Sequence, residues 1–348
     1  MKLFDWVSVS ISLNSTIRES LTVLDQQAMQ IVLLVSNEKK LIATITDGDI
    51  RRGLLQGKSL DSLAIDVANH SPTIGFEDEG INVWEQHLSR KSIRHLPIIN
   101  TDKVIVGLFY QKITSTPQLK NPIVLMLGGL GMRLRPLTET IPKPMLLIGN
   151  KPILETIVKH IAKQGFTEFY FCINYLGEKI KQYFGDGRKW GISITYIEEN
   201  KPLGTAGALS LLPQLPNLPL IVMNGDLLTK ADFKALLNFH LEHDNNITTC
   251  VREYSHQVPY GVMEIQGQQI TNIVEKPIYN YFVNAGIYCL NNSLLAKIPK
   301  QKFYDMPMLL ETQKNKKSGG FPLTEYWKDI GQILDYEQAQ IDFEIYFS

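Results

Sequence analysis

The sequence predicts an α/β protein of two unequal domains, in which a mainly parallel sheet flanked by helices follows a smaller α+β unit. Three observations predict it: an internal repeat confined to the first third, a short polar stretch with two prolines after it, and alternating apolar strands and amphipathic helices from Ile123 onward. The length agrees, since 348 residues make about two domains at roughly 150 residues each.

The repeat comes first in the chain. Sliding the first third against itself gives a gapless match at an offset of 64. Ile17 falls on Ile81, Leu24 on Leu88, Met29 on Ile93, Val32–Val35 on Leu96–Ile99, and Leu41-Ile42-Ala43 on Ile105-Val106-Gly107. Each copy, residues 1–62 and 63–118, reads as a short helix, a buried strand, a charged turn and a second strand. Two such units bury their open faces against each other, so a repeat of this size comes as a pair. Thr114–Pro122 is polar and aperiodic, and residues 119–121 read as a linker.

The larger domain, 122–348, is read from its strands at Ile123–Leu127, Glu168–Asn174, Ile192–Ile197, Leu218–Met223 and Ile247–Arg252. Helices are expected between them at Ile153–Lys163, Gly177–Phe184, Thr205–Leu212 and Ala231–His243. Such alternation implies a mainly parallel sheet covered on both faces, with ligands at the carboxyl ends of its strands.

Composition narrows the functional classes. Lys+Arg and Asp+Glu are level at 35 each, which argues against a broad surface for nucleic acid or anionic lipid. At 44% apolar and 20% charged residues, the chain has the means to build a core, and disorder is excluded as its main theme. The first nine residues lack the apolar stretch of a secretory signal, and no run approaches the roughly 20 residues that span a bilayer. Cys172, Cys250 and Cys289 are far apart and form no C-x-x-C pair, so they read as small buried hydrophobes of a reduced, cytoplasmic protein.

The most informative stretch runs Leu127-Gly128-Gly129-Leu130-Gly131-Met132-Arg133-Leu134-Arg135-Pro136-Leu137-Thr138, followed by Pro142-Lys143-Pro144. It begins where the first strand of the larger domain ends. Glycines let the backbone approach a phosphate and aim N–H groups at it. Arg133 and Lys143 add two positive charges for a polyphosphate. This pattern resembles the signature of sugar-1-phosphate nucleotidyltransferases, and the resemblance covers residues 122–341. It implies a Rossmann-like nucleotidyltransferase fold, in which the Leu127, Gly128, Gly129, Gly131 and Met132 backbone cradles the nucleotide. It also implies that Arg133 and Lys143 bind the triphosphate and the departing pyrophosphate. Met132 stands where the family usually has a hydroxyl residue, and Leu127 where Ala is common.

The same resemblance extends to later segments. The strand ending Asn224-Gly225-Asp226 implies a catalytic, metal-binding Asp226, and Glu325–Gly331 implies a second metal ligand, Asp329. Together they would hold Mg²⁺ against substrate phosphates, as this cation is commonly held by one or two carboxylates plus phosphate oxygens. Pro202–Gly207, with Gly204 and Thr205, is similar to the loop that meets the base. Tyr260-Gly261-Val262, Glu275-Lys276-Pro277 and Asn284-Ala285-Gly286 are similar to the sugar-phosphate segments, implying Gly261, Glu275, Lys276 and Asn284 on that side. An isolated Asp after a strand is also a common helix cap, and a Glu-Lys-Pro a common solvated turn.

Residues 1–118 resemble a tandem pair of cystathionine β-synthase (CBS) domains, also called a Bateman domain. The match centres on Ala43–Arg52, and the resemblance implies that Thr46 and Asp49 hold a nucleotide's ribose. The offset puts Tyr110 and Ile113 at those positions in the second copy, so one regulatory nucleotide site is implied at most. The alternative is that Asp47 and Asp49 cap the helix beginning near Ile50, with Arg51 and Arg52 solvated. The pair also implies assembly into a homo-oligomer.

Together the two parts resemble the glucosamine-1-phosphate guanylyltransferases of legionaminic acid synthesis, implying GTP and glucosamine 1-phosphate as substrates. The alternatives within the class are mannose 1-phosphate guanylylation or another sugar-1-phosphate nucleotidyl transfer, uridylyl or thymidylyl, and the alternative outside it is a non-catalytic nucleotide sensor.

Overall fold

A computed structural model of the chain describes residues 3–27, 29–91, 93–110, 118–213, 217–314 and 316–347. The chain divides into two units, Met1–Ser115 and Thr116–Ser348. No helix among the described residues is long and apolar enough to cross a membrane.

In the first unit one order of elements, strand, helix, strand, strand, occurs twice. The unit contains β1 (Ser10–Ile11), α1 (Ile17–Gln27), β2 (Val32–Val35), β3 (Leu41–Ile45), α2 (Asp47–Leu55), β4 (Gly75–Phe76), α3 (Ile81–Lys91), β5 (His95–Ile99) and β6 (Ile105–Tyr110). The offset of 64 carries α1 onto α3 residue for residue. Both three-stranded sheets run parallel then antiparallel, in the orders β1-β2-β3 and β4-β5-β6. The charged turns match in backbone too, with Lys39 at φ 61° and Lys103 at φ 62°.

Equivalent residues meet across a local two-fold. The Leu41 amide donates to the Lys103 carbonyl at 3.3 Å, and reciprocally the Ile105 amide donates to the Lys39 carbonyl at 3.0 Å. Leu33, Ile99, Ile105 and Leu108 form the shared core between the copies, which is the mutual burial the repeat requires.

The second unit runs β7 (Ile123–Met126), β8 (Leu147–Ile148), β9 (Lys151–Pro152), α4 (Ile153–Lys163), β10 (Glu168–Ile173), α5 (Gly177–Phe184), β11 (Ser193–Glu198), α6 (Gly204–Gly207), β12 (Leu220–Asn224) and β13 (Leu227–Thr229). It continues with α7 (Phe233–Glu242), β14 (Ile247–Gln257), β15 (Val262–Gln266), β16 (Gln269–Val274), β17 (Ile278–Leu290), α8 (Met306–Gln313), β18 (Ser318–Pro322), β19 (Trp327–Asp329) and α9 (Ile333–Tyr346). Its central sheet has the order β11-β10-β7-β12-β17-β14-β18. Every strand points the same way except β17, which is antiparallel to both neighbours.

Both faces of this sheet are buried. Ile123, Leu125, Phe169, Phe171 and Ile221 pack one side with α4 and α7, while Val124, Cys172, Val222 and Leu290 pack the other with α8. All three cysteines are buried in these strands, and burial pushes the Cys172 and Cys289 thiols far above their ordinary range.

Four expectations are corrected. Residues 119–121 belong to the second unit rather than to a linker: Leu119 bridges Phe166, and the Asn121 amide donates to the Pro219 carbonyl at 2.9 Å. The helix expected at Thr205–Leu212 is one α-turn followed by a 3₁₀ turn at Ala208–Leu211. The helix expected from Ala231 starts at Phe233, because the Asp232 carboxylate caps it by accepting from the Ala235 amide at 2.9 Å. The strand expected to end at Arg252 continues to Gln257, where it pairs with β17 as a long arm carrying the β15–β16 hairpin.

Candidate active site

The loop after β7 is fixed by small residues at close approaches. Gly131 has φ 62°, a left-handed conformation that favours glycine, and a Cβ there would lie 2.9 Å from Thr138 Cγ2. The Thr138 hydroxyl donates to the Gly131 carbonyl at 2.8 Å, which closes the loop on itself. A Cβ on Gly225 would lie 2.2 Å from Leu127 Cδ2, so the end of β12 and the loop touch only because position 225 lacks a side chain. Leu127 is buried beneath this contact, Gly129 is open to solvent, and Met132 is 61% exposed.

The charged groups converge at the carboxyl edge of the parallel strands. Lys143 sits in a 3₁₀ turn between two prolines and is buried, and its Nζ donates to Asp226 Oδ2 at 2.5 Å. Asp226 leads into β13, and β13 pairs antiparallel with β19 so that Leu227 faces Asp329. The Ile330 amide also donates to the Asp226 carbonyl at 3.1 Å. This pairing brings positions 226 and 329 onto neighbouring segments, near enough for their charges to interact.

Asp329 registers the crowding. Partial burial in the cleft, and then the Asp226 charge, raise its carboxyl above the ordinary range, against the opposing pull of Lys143 and Arg133. The Arg133 guanidinium reaches over the Gly331 backbone, 3.7 Å from where a Cβ on that glycine would lie.

Two close carboxylates with one raised pKa form a donor set that suits a hard divalent cation. Among the described residues no group of three or more His, Cys, Asp or Glu could hold a metal unaided. Asp226 and Asp329 therefore fit a cation whose remaining ligands are phosphate oxygens and water.

The loop before α6 is held by a residue the sequence does not single out. Asp305 Oδ1 accepts from the Thr205 amide at 2.8 Å and from the Thr205 hydroxyl at 3.2 Å, and the Met306 amide donates to Thr205 Oγ1 at 2.9 Å. The Thr205 side chain thus ties α6 to α8, and Gly204 packs against Tyr304 and Asp305. Glu199 is a second such residue. It follows β11, its Oε2 accepts from the Leu203 amide at 3.0 Å, and its Oε1 would lie 3.1 Å from a Cβ on Gly128. Burial raises its carboxyl. Its position just past a strand end, like that of Asp226, was the signal available to find it.

The four expected sugar-phosphate residues are not together. Asn284 lies on β17 near the body, where its amide nitrogen donates to the Tyr288 hydroxyl at 2.7 Å and its oxygen accepts from the Gly286 amide at 2.9 Å. A Cβ on Gly286 would lie 2.8 Å from Asn224 Nδ2, which places this turn beside the strand leading to Asp226. Gly261, Glu275 and Lys276 are exposed at the far end of the arm. There the Glu275 carboxylate lies against Gly261, and Lys276 adopts φ 48° with its amide donating to the Tyr260 carbonyl at 3.3 Å.

In the first unit, Thr46 and Asp49 are committed to one another. Thr46 is the N-cap of α2 and Asp49 its N3 residue; Asp49 Oδ2 accepts from the Thr46 amide at 2.8 Å and from its hydroxyl at 2.7 Å. Arg52 donates to Asp49 Oδ1 at 2.5 Å. Of the helix-cap alternative, Asp49 takes part in a cap, but the helix begins at Asp47 with Thr46 as its N-cap rather than near Ile50, and Arg51 is buried, its Nε donating to Asp47 Oδ2 at 2.5 Å, rather than solvated. Tyr110 ends β6, and Ile113 lies outside the described residues.

Comparison with known proteins converges on the second unit. The family described as Nucleotidyl transferase matches residues 122–344. A mannose-1-phosphate guanyltransferase from Pichia angusta is 34% identical over 230 residues, and one from Schizosaccharomyces pombe 34% over 226, each match covering 61% of this chain and 61% of the relative. The chain thus spans about 61% of the length of these curated relatives. The crystal structure of HddC from Yersinia pseudotuberculosis superposes with a TM-score of 0.52 at 28% identity, covering 64% of this chain and 99% of that one. The same protein has been solved in complex with GMP-PN.

Proposed function

We propose that this chain, which belongs to the nucleotidyl transferase family, moves a guanylyl group from GTP to a sugar 1-phosphate and releases pyrophosphate. The observation that carries this reading is the meeting of Lys143, Asp226, Asp329 and Arg133 beside a glycine loop at the carboxyl ends of parallel strands. Two cations and two carboxylates there suit a polyphosphate bound with a divalent ion.

In the reaction, a phosphate oxygen of the sugar 1-phosphate attacks the α-phosphorus in line, and the bond to the pyrophosphate oxygen breaks. The protein has no need of a side-chain nucleophile. The backbone of Leu127–Gly131 orients the triphosphate, while Lys143 and Arg133 neutralise charge that gathers on the departing pyrophosphate. Asp226 and Asp329 would hold Mg²⁺, which supplies further charge neutralisation on the phosphate oxygens when bound. Glu199 and the Leu203–Thr205 backbone border the loop on the side assigned to the base.

Guanine is favoured by the names of the curated relatives and by the GMP-PN complex of the HddC protein. The same relatives favour mannose 1-phosphate as acceptor. Glucosamine 1-phosphate is the second reading, favoured by the repeat in the first unit, which lies outside the matched 122–344. We read that repeat as a CBS pair that serves assembly, because Thr46 and Asp49 are engaged in the α2 cap.

A matrix of four nucleoside triphosphates against mannose, glucosamine and glucose 1-phosphates, read by pyrophosphate release, tests the proposal. The expected result is release that requires both substrates and is fastest with GTP. Tight GTP binding without release in any combination would instead identify a nucleotide sensor.

A further inference from the structure

Two short helices of the second unit carry each other's caps. α6 begins after Leu203, an N-cap residue whose side chain has no oxygen to offer the first amides. The acceptor comes from 100 residues further along the chain, where Asp305 Oδ1 accepts from the Thr205 amide at 2.8 Å. Asp305 is itself the N-cap of α8, yet its carboxylate makes no capping hydrogen bond to that helix. The first amide of α8, that of Met306, donates instead to Thr205 Oγ1 at 2.9 Å. The Thr205 hydroxyl gives its one proton to Asp305 Oδ1 at 3.2 Å, which closes the exchange.

The surrounding backbone is shaped to this arrangement. Pro307 has no amide to be capped, and the Met308 amide donates to the Asp305 backbone carbonyl at 3.0 Å, so the carboxylate is left to reach α6. The Ala206 and Gly207 amides donate to the Tyr304 carbonyl at 3.0 and 2.7 Å, and the Tyr304 amide donates to the Leu203 carbonyl at 2.8 Å. Gly204 has φ 80°, and a Cβ there would lie 2.5 Å from Asp305 Oδ1 and 2.9 Å from the Tyr304 oxygen. A Cβ on Gly207 would lie 2.8 Å from the Lys302 carbonyl oxygen. Both glycines are thus required by the 302–305 segment, whatever ligand the loop meets.

We propose that Asp305 and Thr205 are positioning residues for the nucleoside triphosphate. Their exchanged caps hold the Leu203–Gly207 backbone against α8, and the Thr205 hydroxyl is engaged by Asp305 and Met306 rather than by the nucleotide. This rests on the nucleotidyl-transfer reading for the side of the cleft assigned to Leu203–Thr205, but the caps themselves are testable without it.

A double-mutant cycle separates positioning from direct contact. Thr205→Val and Asp305→Ala should each raise KM for GTP by roughly three- to thirtyfold, the scale of one lost helix cap, with a smaller effect on kcat. The double variant should fall well short of the product of the two changes, because both remove the same contact. A full product overturns the proposal, since Thr205 would then act on GTP without Asp305, and so does an unchanged KM in both single variants. Thr205→Ser keeps the hydroxyl and Asp305→Asn keeps the Oδ1 acceptor, so each should recover most of the corresponding loss. Conservative variants as impaired as Thr205→Val and Asp305→Ala overturn it too.

Hydrogen exchange of the protein without nucleotide tests the caps alone. In Asp305→Ala, amides of 203–207 should exchange at least about tenfold faster while those of α4 keep their wild-type rate, which shows the fold intact. Unchanged exchange at 203–207 overturns the proposal. If that exchange quickens and calorimetry gives a less than multiplicative loss of GTP affinity, but no sugar 1-phosphate supports pyrophosphate release, nucleotidyl transfer falls and the positioning stands.

Discussion

Lys143→Ala should lower kcat/KM for pyrophosphate release by about 10²–10³-fold, the range seen when one preorganised donor to developing charge is removed. Lys143 is nearly inaccessible, and its position is set by Pro142 and Pro144 and by the ion pair with Asp226. It is thus fixed before substrate arrives, and charge neutralisation needs no reorganisation. Removing it leaves Asp226 beside Asp329 with less cation between them, so a loss of about 1–3 kcal/mol in stability is expected as well. A urea titration of the variant separates the two effects, because assays run well below its midpoint report on chemistry alone. Lys143→Arg keeps the charge but not the compact ammonium, and should recover only part of the rate. Near wild-type release from Lys143→Ala would remove this residue from the mechanism.

Asp329→Asn should move activity and stability in opposite directions. The raised carboxyl of Asp329 means that the folded protein holds that proton more tightly than the unfolded chain does. Its contribution to stability is therefore full below the unfolded pKa of about 3.9 and is lost as pH rises through the higher folded value. At neutral pH the ionised pair with Asp226 costs stability, and the Asn variant relieves it. Without metal, the variant should melt above wild type at pH 7.5, and the two Tm values should converge as pH falls below about 4. Mg²⁺ should raise the wild-type Tm by mass action and leave the variant unmoved, while turnover falls by roughly 10²-fold or more. A variant that melts no higher than wild type and still responds to Mg²⁺ would remove Asp329 from the metal site.

How far the sequence reveals these features depends on whether the physics is local. The repeat is legible because its copies align without a gap and their paired cores share one periodicity, down to the left-handed turns at Lys39 and Lys103. The phosphate loop is legible because its glycines and its two cations lie in one short stretch. The neighbouring positions of Asp226 and Asp329 are created by the β13–β19 pairing, and only the family resemblance pointed to it in advance. Asp305 and Glu199 act on backbone amides at a distance in sequence or around a turn, which a pattern of apolar residues does not register.

The arm was missed for a different reason. Residues 252–257 and 278–283 mix aromatic, polar and charged side chains, because both faces of that ribbon are largely exposed, so the alternation that marks a half-buried strand is absent. Arg51 reverses the expected burial of a charged helical residue because Asp47, one turn earlier, pairs with it. Thr46 and Asp49 show the limit of a short motif, since a hydroxyl and a carboxylate three residues apart suit a ribose and a capping box equally well.

The central claim is that the α-phosphorus of a nucleoside triphosphate is the atom attacked at the Lys143–Asp226–Asp329 cleft. It is tested most directly by following two labels in one reaction, with GTP carrying one isotope at the α-phosphorus and another at the γ-phosphorus, mixed with sugar 1-phosphate and Mg²⁺. The account predicts the α label in a sugar nucleotide and the γ label in pyrophosphate, in equal amounts and dependent on the sugar 1-phosphate. Recovery of the γ label as orthophosphate or on the sugar, with the α label left in GDP, would contradict it.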